Sequence, residues 1–419
     1  MPMGGGAVSG PGAGQLQVQW GVGNELRVCR VQGAAARDRD QPNGGNGVLS
    51  SGAAYVVQWS FIAGAQQRVA EETLPAFEAL RGRLANASAR GNPNGAAAAS
   101  IAAAQQFAGS VSAVLRQRAK AADAEGNGRA ASEIGTAHAV WELISLYFVE
   151  PGGGTGVVTE QLVRWYQRHA ATLQSGPDAL PARIGALLAG IPGAGAAPEE
   201  APGFWECFAS MVAVGWTEAA VDLAMLHSCW AEWRMGKAAV KPQAELLEAV
   251  LSLLRRSPRL GADCGGASED GSTLGASSAT SVPQFLAFRE GWVRQVREVL
   301  TDSALFDACF DIRTGEGVRA ALAVMAGDET AISRATPGGW LELLVASVRH
   351  QYPQLKAHSE HASLAERCVG VKGPGLSEEM DLLLKAVIEV NAAETVGVCS
   401  HHMDTWFLAH LAELLVSAA

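Results

Sequence analysis

Two places in this chain bring ligand-type side chains close together: Cys399-Ser400-His401-His402, and His358 with His361 and Cys368. Imidazole and thiolate groups suit zinc, but a zinc site takes about four ligands with both halves present, such as a Cys-x-x-Cys partner or a carboxylate at fixed spacing. Neither run supplies that set, and adjacent histidines point about 100° apart on a helix. Both therefore read as solvated histidines near helix ends, where the C-terminal dipole favours positive charge. No metal and no other cofactor is expected. Gly152-Gly153-Gly154-Thr155-Gly156 feeds a helix near Thr159, as a phosphate-binding loop would. No strand precedes it and no Gly-Lys-Ser/Thr follows, so it reads as a plain loop. There is no Gly-x-Ser-x-Gly elbow and no His-Glu-x-x-His. The acidic pairs Glu71-Glu72, Glu199-Glu200 and Glu378-Glu379 fall at helix starts or on exposed faces, as solvation and capping groups. The chain is not expected to be an enzyme.

Charge narrows the partners. Lys and Arg total 32 against 42 Asp and Glu, for a formal charge of -10, and no basic cluster exceeds the pair Arg255-Arg256. Nucleic-acid affinity rests on concentrated basic charge, so direct nucleic-acid binding is not expected. The longest uncharged apolar runs, 143–149 and 211–216, fall well below the roughly 20 residues that span a bilayer. The first 14 residues lack the basic start and apolar centre of a secretory signal. The expectation is a soluble chain with no transmembrane segment. Cys29, Cys207, Cys229, Cys264, Cys309, Cys368 and Cys399 are scattered with no Cys-x-x-Cys pair, which points to buried free thiols in a reducing compartment. The sequon Asn86-Ala87-Ser88 then carries no glycosylation.

The elements that would position any site are of two kinds. Near the start, Leu16, Val18 and Trp20 alternate with glutamines, a Gly21-Val22-Gly23-Asn24 turn follows, and Leu26 and Val28 resume the alternation up to Val31. This is a hairpin. Tyr55-Val56-Val57-Gln58-Trp59-Ser60-Phe61 reads as a third strand, rich in β-branched and aromatic residues. Two or three strands alone are barely stable in water and carry unpaired edges. They either fold back onto the helices or join a partner's open sheet by β-augmentation.

From Ala65 onward the periodicity is helical, over roughly 66–84, 99–122, 131–149, 159–173 and 179–188. Pro75 is expected to kink or break the first of these. Residues 190–202 read as a linker and 257–281 as a low-complexity surface loop. Between them, 204–226 reads as a helical hairpin stopped at Gly215, with Trp205, Phe208 and Val212 meeting Ala220, Leu223 and Leu226. After a Pro337-Gly338-Gly339 turn, Trp340, Leu341, Leu344, Val345 and Val348 share one face. Phe407, Leu408, Leu411, Leu414 and Leu415 draw a second stripe near the end. Short helices with a single sticky side stack into an array that offers surface, so a scaffold is expected. No strict repeat period holds, which makes the array irregular.

Laid out in this order, the chain resembles the nucleoporin 85 family, scaffolds of the Y-shaped outer-ring complex of the nuclear pore. The resemblance is carried by Trp141-Glu142-Leu143-Ile144 with Leu162-Val163-Arg164-Trp165, and by Phe204-Trp205-Glu206 with Gly215-Trp216-Thr217-Glu218. Further along it rests on Gly327-Asp328-Glu329, on Trp340-Leu341-Glu342-Leu343-Leu344 with Tyr352-Pro353, and on the closing Trp406-Phe407-Leu408-Ala409-His410-Leu411-Ala412-Glu413-Leu414-Leu415 block. It implies a mainly α protein: an irregular α-helical solenoid of the ancestral coatomer element type, folded back on itself, after a small N-terminal antiparallel β insertion blade. In that family the blade completes the open propeller of a small WD-repeat nucleoporin. The partner-binding residues would then be Leu16, Val18, Trp20, Leu26, Val28, Val31, Tyr55, Val57 and Trp59. Other Y-complex nucleoporins would be further partners, at the nuclear pore complex of the nuclear envelope, in support of nucleocytoplasmic transport. The family brings no catalytic residues. A coat-type scaffold of vesicle transport, built on the same helical domain, is the alternative, separated only by the closing block. The expected organisation is a blade over 1–62 and a solenoid over 63–419. Family members continue for further helices, so their C-terminal tail is expected to be missing here.

Overall fold

The computed structural model describes residues 15–20, 26–31, 55–57, 64–89, 93–149, 157–174, 176–191, 197–260, 278–356 and 359–418. The chain divides into two units, Met1–Ala137 with Asn391–Ala419, and His138–Val390. In chain order the first unit contains β1 (Gln15–Trp20), β2 (Leu26–Val31), β3 (Tyr55–Val57), α1 (Gly64–Ala89) and α2 (Pro93–Ala124). The division falls inside α3 (Gly128–Ile144).

The second unit continues with α4 (Thr159–Leu173), α5 (Leu180–Gly190), α6 (Phe204–Val214), α7 (Thr217–Met225), α8 (Cys229–Arg234) and α9 (Lys241–Arg255). Then come β4 (Arg259–Leu260), β5 (Ser278–Ala279), α10 (Val282–Thr301), α11 (Ser303–Asp307), α12 (Ile312–Met325) and α13 (Glu329–Ala335). It closes with α14 (Trp340–His350), α15 (Ser359–Lys372) and α16 (Glu378–Ile388). The chain then returns to the first unit as α17 (Ala392–His402) and α18 (Thr405–Ala418).

In the first unit the strands form an antiparallel sheet in the order β1-β2-β3. Helix α1 is continuous through Pro75 where a kink or break was expected. It packs along α2, and α18 packs on both. The buried side chains of α2 recur with helical spacing, Ala104, Phe107, Ala108, Val111 and Leu115, opposite Val69 and Leu80 of α1. An ion pair from Arg118 to Glu72 ties the two helices at their rim. The stretch Ala97–Ala124 has the length and hydropathy to cross a membrane by composition alone, a property that its alanines supply.

In the second unit helix starts follow side-chain chemistry. Ser281, Asp302, Asp311, Asp328 and Ser377 each accept a backbone N–H from the first turn they precede. Gly215, in the left-handed region at φ 83°, ends α6. Helix α14 is buried on every side, from Trp340 through Val348, and packs against α4, α6, α13 and α15. The expected single sticky face is therefore a correction: Leu343 and Ala346 are covered too, and Glu342 and Ser347 are buried among them.

Helices α6 and α7 form the expected hairpin, with Phe208, Val212, Ala220 and Leu223 buried. Two of its expected contributors differ. Leu226 is 48% exposed. The Trp205 indole lies against Gly317 of α12, where an added Cβ would overlap the ring.

Both expected loops have anchored ends. Pro198–Glu200 is a short 3₁₀ turn with Glu199 buried, and β4 pairs in parallel with β5 beside Val157 and Phe285. The segments 192–196 and 261–277 lie outside the described residues.

Candidate functional site

The register of the sheet sorts the expected partner-binding residues into rows. Val18 stands opposite Val28, and Val28 opposite Tyr55; Trp20 stands opposite Leu26, and Leu26 opposite Val57. Leu16 pairs with Arg30 in the same alternating set of rows, while Val31 pairs with Gln15 in the other set. Trp59 lies outside the described residues. Among the described residues no strand pairs with the outer edge of β1, and β3 runs near α17.

Among the described residues, the ligand-type runs of the sequence do not assemble. Cys399 is buried within α17, whereas His401 and His402 are exposed in its last turn, as their helix-end reading required. Cys368 is buried in α15, and His358 lies outside the described residues, as does the glycine run at 152–156. His361 instead places its Nδ1 2.8 Å from the Tyr147 hydroxyl, deep in the second unit. Burial pushes Cys229, Cys368 and Cys399 up to about 12, so they are neutral thiols at physiological pH.

Among the described residues, three polar clusters form that the sequence reading did not single out. His138 and Glu142, one turn apart on α3, meet His169 of α4, with Nε2 to carboxylate distances of 3.1 and 2.8 Å. Arg168 Nη1 adds a contact of 2.6 Å to the same carboxylate. Burial opposes ionisation of Glu142, but the hydrogen bonds from His138 and His169 and the nearby Arg168 charge outweigh it and hold its carboxyl well below the usual range. Burial in turn pushes the His169 imidazole down. Among the described residues, these three form the group that could hold a metal. The His-x-x-x-Glu spacing on α3 was a legible signal; the third member comes from another helix.

In the second cluster the Glu199 carboxylate accepts the Ser228 N–H at 3.0 Å and the Ser228 hydroxyl, and its Oε1 lies 3.5 Å from His227 Nδ1. His227 Nε2 lies 3.0 Å from Thr314 Oγ1, which donates to Asp311. The pair Glu199-Glu200, read as solvating, is thus half structural: Glu199 is a buried acceptor that fixes the start of α8. In the third cluster Glu342, fully buried, accepts Gly338 N–H at 3.0 Å, the Tyr166 hydroxyl at 3.2 Å and Leu180 N–H at 3.3 Å. Burial raises its carboxyl pKa, against the pull of those N–H donors. Hydrogen-bonded clusters of this kind specify which helices meet.

The profile of the Nup85 Nucleoporin family matches residues 97–419. The chain belongs to the Nup85 nucleoporin family. It is a family of structural nuclear-pore scaffolds, at the nuclear envelope, and not a known enzyme family. The chain is also similar to the nuclear pore complex protein NUP85 of Arabidopsis thaliana, 26% identical over 420 residues. That alignment covers 97% of this chain and 56% of the relative, so the chain spans about half the length of the curated relative it matches.

The Nup85 match takes in all three polar clusters and the closing block, and begins after the strands. Within it, the Trp-x-x-x-His pattern of the closing block has a packing role. His410 donates from Nδ1 to the Trp406 carbonyl at 2.7 Å and stacks on Phe107, with ring centroids 5.7 Å apart.

Proposed function

We propose that this chain is a scaffold subunit of the Y-shaped outer-ring complex of the nuclear pore, and that β1, β2 and β3 form a blade lent to the open propeller of a small WD-repeat nucleoporin. The reading combines a blade over 1–62 with a folded-back helical domain over 63–419. The observation that supports it best is that, among the described residues, no strand pairs with the outer edge of β1 in the three-stranded sheet. Exposed edges invite pairing with another chain, and here the edge row carries Leu16, Val18 and Trp20. Leu26, Val28, Val31, Tyr55, Val57 and Trp59 supply the rest of the contact. Other Y-complex nucleoporins would bind the helical array, and the whole would support nucleocytoplasmic transport.

Co-elution of the purified chain with the WD-repeat nucleoporin on gel filtration tests this reading. Trp20→Asp should abolish co-elution while leaving the far-ultraviolet helix signal intact, because a charge buried in a blade contact has no partner. A chain lacking residues 1–60 that still co-elutes would refute the donation; the strands would then be a sheet packed on the chain's own helices.

A further inference from the structure

We infer that His138, Glu142 and His169 form a zinc site that clips α4 to α3. The donor atoms of the three side chains, one from each, all lie within 4.8 Å of one another. A tetrahedral zinc with ligand bonds of about 2.0–2.1 Å holds its donors roughly 3.3 Å apart. Glu142 Oε1 stands 3.1 Å from His138 Nε2 and its Oε2 stands 2.8 Å from His169 Nε2, so the carboxylate already sits between the two rings at close to ligand spacing. The imidazole rings meet edge to face, with centroids 4.9 Å apart, and converge on one carboxylate. Two imidazoles and a carboxylate are a zinc donor set, and they leave a fourth position for water.

The surroundings suit a preformed site. His138 and His169 are buried, and the Trp165 indole beside His169 is held in place by donating to the Ala139 carbonyl at 2.8 Å. Glu142 keeps 17% of its side chain exposed, which leaves an entry path from solvent. To bind, the Nε2 atoms that now face the carboxylate turn their lone pairs to the metal, with the ring proton carried on Nδ1.

Arg168 is the competitor. Its guanidinium contacts the carboxylate oxygen that zinc would take, and it is 48% exposed, so it can swing into water when the metal enters. A cation and zinc at the same oxygen repel each other. Removing the Arg168 charge should therefore tighten zinc binding, an effect opposite to that expected if Arg168, Glu142 and the histidines were only a packing network.

The test uses the full chain, stripped with chelator and titrated with Zn²⁺ by calorimetry and with Co²⁺ by visible absorption. One equivalent should bind, with tetrahedral d–d bands and no thiolate-to-cobalt charge transfer. His169→Gln should weaken binding at least about tenfold and remove the zinc-dependent rise in Tm. Arg168→Ala, an exposed change that leaves the fold intact, should tighten binding severalfold. His401→Gln with His402→Gln should change nothing. Absence of binding in the wild-type chain, thiolate charge-transfer bands, or an affinity unmoved by both His169→Gln and Arg168→Ala would each overturn the site.

Discussion

Trp406 donates its indole N–H to the side-chain oxygen of Gln66 at 3.0 Å, joining α18 to α1 within the first unit across most of the sequence. Both residues are buried, and the neighbouring His410 ring sits between Phe77 and Phe107, at centroid distances of 5.2 and 5.7 Å. The last helix is therefore part of the core of this unit and no appendage to it.

Truncation in that helix should be costly. Leu411 is fully buried, so Leu411→Ala should destabilise by about 2–5 kcal/mol as a core truncation. Trp406→Phe leaves the Gln66 oxygen buried without its donor, at a cost of about 1–3 kcal/mol. Chemical denaturation followed by circular dichroism measures both, and an unchanged midpoint for Leu411→Ala would contradict the packing described.

Gly317 of α12 accepts the Trp205 indole at a distance no side chain can share. Gly317→Ala should cost about 1–3 kcal/mol through forced displacement of the ring, despite the better helix propensity of alanine. Pairing it with Trp205→Leu should recover part of that loss in a double-mutant cycle. Strict additivity of the two changes would show that the contact carries no energy.

Glu342 serves three donors, so the shape of its replacement matters less than its acceptor. Glu342→Gln keeps an oxygen for Gly338 or Leu180 and should be the milder change. Glu342→Leu should leave buried N–H groups unpaired and cost at least about 2 kcal/mol more. Thermal melts of the two variants decide it: equal Tm values would deny the network its role.

Stability should fall in mild acid. Burial pushes His361 from its ordinary 6.5 down to about 4, and burial likewise lowers His169, His227, His350 and His410. The unfolded chain binds these protons below about pH 6.5, whereas the native state refuses the His361 proton until about 4. Its contribution is therefore complete above pH 6.5 and is lost as pH falls through 4, on the order of 3 kcal/mol for His361. Glu342, with its raised pKa, opposes the trend. Urea midpoints measured between pH 7 and pH 4.5 should decline, and His361→Asn should flatten the slope.

What the sequence determined by itself is local. Helix α4 spans the same residues, Thr159–Leu173, that its periodicity marked, because an amphipathic stripe needs only its own spacing to be recognised. The stop at Gly215 and the stripe through Phe407, Leu411 and Leu414 were likewise written in adjacent residues, as were the strands paired through Val18 and Val28. Family resemblance was legible for the same reason, since it was read from short blocks of adjacent residues such as Trp340-Leu341-Glu342.

Only the tertiary structure decided who meets whom. The stripe on α14 showed one apolar face, yet the helix is covered all round, because α4, α6, α13 and α15 converge on it and Glu342 finds its donors there. Glu199 looked like a solvated linker carboxylate until Ser228 was brought to it. Pro75 sits in an unbroken α1, whose packing along α2 and α18 outweighs the hydrogen bond that proline removes. His169 reaches Glu142 from a different helix, so no spacing within one segment could have named the cluster. Periodicity is a property of neighbours in sequence, while burial and pairing depend on which distant surface arrives, and that choice is made by the whole set of contacts at once.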